Sequence, residues 1–198
     1  MTRLKICGLF REEDIGYANE VHPEYAGFVF AKSRRQVTRD KATELRKLLD
    51  PSILTVGVFV DEQIERILEI LDDGTISIVQ LHGNEDEEYI ARLRERTSAQ
   101  IIKAVRPDSR EDVKRAESSM ADYILFDSGA GTGKTFDWSL LEGFSREYFL
   151  AGGLNQGNMA DAIELLDPFA VDLSSGVETE GFKDLEKMKE IRRMVRNG

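Results

Sequence analysis

Leu4-Lys5-Ile6-Cys7-Gly8 is a short β-forming run that ends on the chain's single cysteine, and a helical pattern over residues 12–21 follows it. On a strand, side chains alternate faces, so Lys5 and Cys7 share one face and Leu4 and Ile6 the other. The same unit recurs outward along the chain. Apolar runs at 25–30, 53–60, 76–81, 100–105, 122–126, 148–151 and 169–173 alternate with helical patterns at 39–49, 62–71, 86–96, 110–118, 137–142, 156–166 and 183–196. The runs are near-continuously apolar, as in parallel strands covered on both faces. Strict alternation of strand and helix predicts an α/β fold with a parallel sheet, and eight units predict a closed (β/α)8 TIM barrel. A doubly wound open sheet is the alternative, with fewer strands and a topological switch point. No Pro/Gly/Ser-rich linker divides the pattern, so residues 1–198 read as a single domain.

Composition narrows the function classes. Hydrophobic residues make up 41% of the 198 and charged residues 32%, an ordinary globular balance. The formal net charge of −10 opposes non-specific nucleic-acid binding, yet leaves room for an anionic small molecule held by local groups. No apolar run approaches the roughly 20 residues of a membrane helix. Met1-Thr2-Arg3 runs straight into a strand with no secretory signal, so a cytoplasmic location is expected. One cysteine excludes an internal disulfide and a cysteine-based zinc site. His22 and His82 are too far apart in sequence to argue for a metal site.

In a barrel the chemistry sits on loops at the C-terminal ends of the strands. Those positions hold Cys7 and Gly8; Lys32, Arg34 and Arg35; Gln80 and His82; Asp127; Gly152 and Gly153; and Ser174, Ser175 and Gly176. The two glycine- and serine-rich loops after the seventh and eighth strands read as a phosphate cradle, where backbone N–H groups approach an anion. Gln80 and His82 share parity and face the same way. Lys5 and Asp172, on the first and eighth strands, become neighbours if the barrel closes, and are expected to form a partly buried ion pair below the site. An ammonium there would favour the Cys7 thiolate.

Each feature has a plainer reading. A lone cysteine is most often a small buried hydrophobe, and an aspartate at a strand end is most often a turn or cap carboxylate. Lys32, Arg34 and Arg35 also suit a solvated basic cluster. Ser128–Thr135 nearly fits the nucleotide P-loop, but Ser128 replaces its first glycine and Asp137 caps a later short helix, so a glycine-rich loop over the site is the better reading. Cys7 and Asp127, meeting across the barrel mouth, make a base–acid pair suited to proton transfer between neighbouring sugar carbons.

Taken together, Lys5-Ile6-Cys7-Gly8, Gly27-Phe28-Val29-Phe30, Lys32-Ser33-Arg34-Arg35, Val56-Gly57-Val58-Phe59-Val60, Val79-Gln80-Leu81-His82-Gly83, Gly133-Lys134-Thr135-Phe136-Asp137-Trp138, Gly152-Gly153-Leu154 and the run from Phe169 to Glu178 resemble the phosphoribosylanthranilate isomerase family of tryptophan biosynthesis. The resemblance implies a catalytic (β/α)8 domain carrying out an Amadori rearrangement of a phosphosugar. It places the general base on Cys7 and the general acid on Asp127. It places the ligand of the anthranilate carboxylate on Arg35, with Arg34 beside it as the alternative, and the phosphate loops on Gly152-Gly153 and Ser174-Ser175-Gly176. Gln80, His82 and Asp172 complete the expected substrate-binding set. No metal or organic cofactor is implied, because the imine forms within the substrate itself. Family members occur as monomers, dimers and fused domains, and this chain is expected to be a monomer or homodimer. The loops after Phe30 and Asp127 are short for the family. Two rivals stand beside this reading: the histidine-pathway ketol isomerase, which resembles a two-aspartate design, and a non-catalytic phospho-ligand barrel.

Overall fold

The computed structural model describes residues 1–129 and 135–197. Eight parallel strands close into a barrel in sequence order: β1 (Arg3–Cys7), β2 (Tyr25–Val29), β3 (Leu54–Phe59), β4 (Ile78–Leu81), β5 (Gln100–Val105), β6 (Tyr123–Phe126), β7 (Tyr148–Leu150) and β8 (Ala170–Leu173). β1 pairs with both β2 and β8, which removes every sheet edge. The open-sheet alternative is therefore excluded.

Helices α1 (Glu12–Val21), α2 (Arg39–Leu48), α3 (Ile64–Asp72), α4 (Glu87–Arg94), α5 (Arg110–Glu117), α6 (Met159–Leu166) and α7 (Leu185–Asn197) cover the outside. Caps fix several of their starts. Thr38, Asp86 and Ser109 side chains accept backbone N–H groups of α2, α4 and α5. Between β6 and β7 the expected short helix is a 3₁₀ turn, Trp138–Leu141, and Asp137 caps it through Ser139.

The alternation inferred from sequence sorts the side chains into two cores. Outward residues such as Leu4, Ile6, Phe28, Phe59 and Val171 pack under the helices. Inward residues Tyr25, Val56, Ile78, Ile102, Leu125 and Phe149 fill the barrel below the site. The Tyr25 and Phe149 rings meet edge-on at 5.3 Å.

Two features depart from the sequence reading. A two-stranded hairpin, β9 (Glu178–Thr179) and β10 (Phe182–Lys183), follows β8, where only the approach to the last helix was expected. Glu180 and Gly181 both have positive φ, 52° and 88°, as a two-residue hairpin turn requires. A 3₁₀ turn, Ser175–Val177, joins this hairpin to β8. The expected glycine-rich loop after Asp127 lies largely outside the described residues.

Candidate active site

At the C-terminal end of the barrel lies a cavity of about 570 Å³. Cys7, Arg34, Arg35, Gln80, His82, Asp127, Gly152, Gly153, Asp172, Ser174, Ser175 and Gly176 all line it. Every site residue read from the sequence therefore reaches one space. Parity explains this for the strand residues: Cys7, Gln80 and Asp172 take inward positions of β1, β4 and β8. Cys7 and Asp127 approach from strands separated by β7 and β8.

Below the cavity Lys5 donates to Asp172 across the β1–β8 register, Nζ to Oδ2, at 2.6 Å. The pair is more deeply buried than expected, with side chains 0% and 8% exposed. Burial opposes the ammonium, but Asp172 and Cys7 hold the Lys5 pKa above that of an ordinary lysine. Asp172 lines the cavity, and its Oδ1 is buried with no hydrogen-bond partner among the described residues.

A second chain of contacts leads to Asp127. Gln80 Nε2 donates to His82 Nδ1 at 2.8 Å. That bond leaves the His82 proton on Nε2, 3.4 Å from Asp127 Oδ2. The Gly129 N–H donates to Asp127 Oδ1 at 2.9 Å. Burial pushes the Asp127 carboxyl up, but the His82 and Gly129 donors outweigh it and hold the pKa below the usual carboxylate range.

At Cys7 the nearby ammonium favours the thiolate as expected, but burial outweighs it. Burial pushes its thiol pKa up, ahead of the opposing pull from Lys5 and Lys183. The ammonium expected to favour the thiolate is already paired with Asp172, whose charge itself raises the thiol. These directions favour a thiol at Cys7 and a carboxylate at Asp127.

The candidate phosphate loop after β7 turns on two glycines. Gly152 and Gly153 have φ of 82° and 69°. A Cβ on Gly152 would come within 2.8 Å of Asp127 Oδ1, besides striking the Ser128 backbone. Asn155 and Asn158 both donate to the Gly153 carbonyl, at 2.9 and 3.0 Å, which fixes the loop.

Glu178 and Lys183 were not singled out from sequence. Glu178 accepts from Arg35 Nε at 2.7 Å and Arg35 Nη2 at 2.8 Å. It also accepts from Lys183 Nζ at 2.6 Å and from Arg34. Burial raises the Glu178 pKa, but these cations together bring it below the usual range. The available signal was Glu180-Gly181 between the β-formers Thr179 and Phe182, a hairpin pattern that sets Glu178 opposite Lys183.

The sequence pattern of the family described as N-(5'phosphoribosyl)anthranilate (PRA) isomerase matches residues 4–193. The N-(5'-phosphoribosyl)anthranilate isomerase of Endomicrobium trichonymphae is 48% identical, covering 100% of both chains. A crystal structure of phosphoribosyl anthranilate isomerase in complex with reduced 1-(o-carboxyphenylamino)-1-deoxyribulose 5-phosphate has a TM-score of 0.88, with 38% identity and 100% of both chains covered. The structure of monomers generated from the dimeric Thermotoga maritima enzyme also has a TM-score of 0.88, with 39% identity and the same full coverage. The chain belongs to the N-(5'-phosphoribosyl)anthranilate isomerase family.

Proposed function

We infer that this protein catalyses the Amadori rearrangement of N-(5-phosphoribosyl)anthranilate to 1-(2-carboxyphenylamino)-1-deoxyribulose 5-phosphate in tryptophan biosynthesis, by general acid–base catalysis. The observation that carries the reading is that Cys7 and Asp127 line one cavity, with paired arginines and two glycine–serine loops around it.

Asp127, protonated, gives its proton to the ribose ring oxygen. The C1′–O bond breaks as the anthranilate nitrogen forms the imine. Cys7, as thiolate, takes the C2′ proton, and the electrons left behind make the C1′–C2′ double bond of an enolamine. Loss of the C2′ hydroxyl proton and protonation at C1′ give the ketone. After these two transfers Asp127 is a carboxylate and Cys7 a thiol, the arrangement their surroundings favour. Reaction therefore starts from the less populated arrangement, with the pair's one proton on Asp127. Such a pair titrates jointly.

In this reading Arg35 takes the ring carboxylate as a bidentate partner. Gly152, Gly153, Ser174, Ser175 and Gly176 take the phosphate. Asp172, in the lining of the cavity, accepts from a sugar hydroxyl, and Gln80 fixes the His82 tautomer that faces Asp127. The barrel acts as one catalytic domain in the cytoplasm, as a monomer or homodimer. No helix among the described residues is long and apolar enough to cross a membrane.

Turnover in D₂O tests the proton route. Proton abstraction with return from solvent puts one deuterium on C1′ of the product. A product without deuterium would mean either direct hydride transfer or return of the same proton by a Cys7 shielded from solvent, and Cys7→Ala, inactive only in the second case, separates the two.

A further inference from the structure

We propose that Glu178, held with Lys183 on the β9–β10 hairpin, is the positioning residue that aims Arg35 at the ring carboxylate of the substrate. The proposal rests on the reading that Arg35 takes that carboxylate.

Glu178 does not line the cavity, whereas Arg35 does. Its carboxylate sits behind the guanidinium, with the side chain only 3% exposed. The contact is side-on, through Nε and Nη2. A guanidinium offers five N–H donors, so this leaves Nη1 and the second Nη2 hydrogen as an end-on pair. Among the described residues no acceptor meets Arg35 Nη1. One arginine thus holds a protein carboxylate on one edge and presents its other edge to a ligand carboxylate.

The stem is constrained as well. Gly8, at φ 77°, leaves room for it, since a Cβ there would strike Arg35 Cδ. The charge balance also has a direction. Arg34, Arg35 and Lys183 surround a single carboxylate, so this corner of an acidic protein carries a surplus of positive charge.

The hairpin ties this corner to the rest of the site. Lys183 Nζ donates to Glu178 and to the Ser174 carbonyl at 3.0 Å, and Ser174 Oγ donates to the Cys7 carbonyl at 3.0 Å. Carboxylate clamp, phosphate loop and base therefore share one support. Without Glu178 the three cations repel one another, and Arg35 loses the partner that orders it. The cost falls on recognition of the carboxylate rather than on proton transfer.

The test compares two ligands: reduced 1-(2-carboxyphenylamino)-1-deoxyribulose 5-phosphate and the same compound without the ring carboxylate. Dissociation constants are measured for wild type, Glu178→Gln, Arg35→Ala and the double variant. The expected result is a loss of about 10- to 100-fold in Glu178→Gln for the carboxylated ligand. Affinity for the other ligand stays near wild type, and the double variant is no worse than Arg35→Ala alone. In turnover KM rises while kcat holds. Glu178→Asp keeps the charge but withdraws it by one methylene, so it gives an intermediate loss confined to the carboxylated ligand even if Glu178→Gln does not fold. Equal weakening of both ligands, or an unchanged carboxylate preference in the Glu178 variants while Arg35→Ala abolishes it, would overturn the proposal. A wild type with no carboxylate preference would overturn the Arg35 reading itself.

Discussion

Lys5 Nζ lies 2.6 Å from Asp172 Oδ2, and both side chains are buried beneath Cys7, in the strand register that closes the barrel. The pair couples closure of the fold to the electrostatics of the site. Removing one member of a buried pair leaves a bare charge and costs about 3–5 kcal/mol. Lys5→Met is expected to lose that much in denaturant unfolding. Lys5→Met/Asp172→Leu is expected to recover most of the stability but not turnover, because it removes the Asp172 carboxylate from the lining of the cavity. Full activity in the double variant would remove Asp172 from the site.

The opposite shifts of Cys7 and Asp127 predict the pH profile. Below the lowered pKa of Asp127 both groups are protonated and no thiolate remains. Above the raised pKa of Cys7 both are ionised and no acid remains. Between these limits the pair carries one proton, and the fraction placed on Asp127 is constant. Plots of kcat/KM are therefore expected to be flat through neutral pH and to fall only beyond about pH 8.5 on the basic side, the ordinary thiol value. Capture of the single cysteine by iodoacetamide should accelerate over that same alkaline range. Activity that instead climbs steadily from pH 6 to 9 would mean that thiol ionisation alone limits the reaction.

Much of this architecture is legible in the sequence because strand parity is local. Gln80 and His82 read as same-face neighbours two residues apart, and they are hydrogen-bonded to each other. Lys5 and Asp172 required only barrel closure to become partners. The hairpin was not legible from periodicity, because two-residue strands have none and the approach to the last helix follows at once. Glu178 consequently stood in the motif without a role. The raised pKa of Cys7 is not legible for a different reason: the burial that raises it is a tertiary fact that strand spacing does not contain. Between Arg34 and Arg35, exposure separates the two, 54% against 19%, and the more buried side chain is Arg35.

Glu24 predicts a stability effect away from the site. It accepts from the Leu4 N–H at 2.8 Å and from both terminal nitrogens of Arg192 on α7, at 2.7 and 2.8 Å. Burial raises its pKa, but these donors outweigh it and hold the folded value below normal. A depressed folded pKa stabilises above the unfolded pKa, about 4.3, and the benefit is lost as pH falls through the folded value. Glu24→Gln is expected to cost about 1 kcal/mol at neutral pH, given the partial exposure of the pair. The gap between variant and wild type in thermal unfolding should close below about pH 4. A gap independent of pH would mean that packing, not charge, supplies the effect.

The central claim is that Cys7 and Asp127 act as base and acid in this rearrangement. The most direct measurement follows the fluorescence of N-(5-phosphoribosyl)anthranilate with wild type, Cys7→Ala and Asp127→Asn side by side, each shown to be folded by thermal unfolding. The account predicts wild-type turnover and a loss of at least about 10²-fold in kcat for each variant. Near-normal turnover in either folded variant would contradict it.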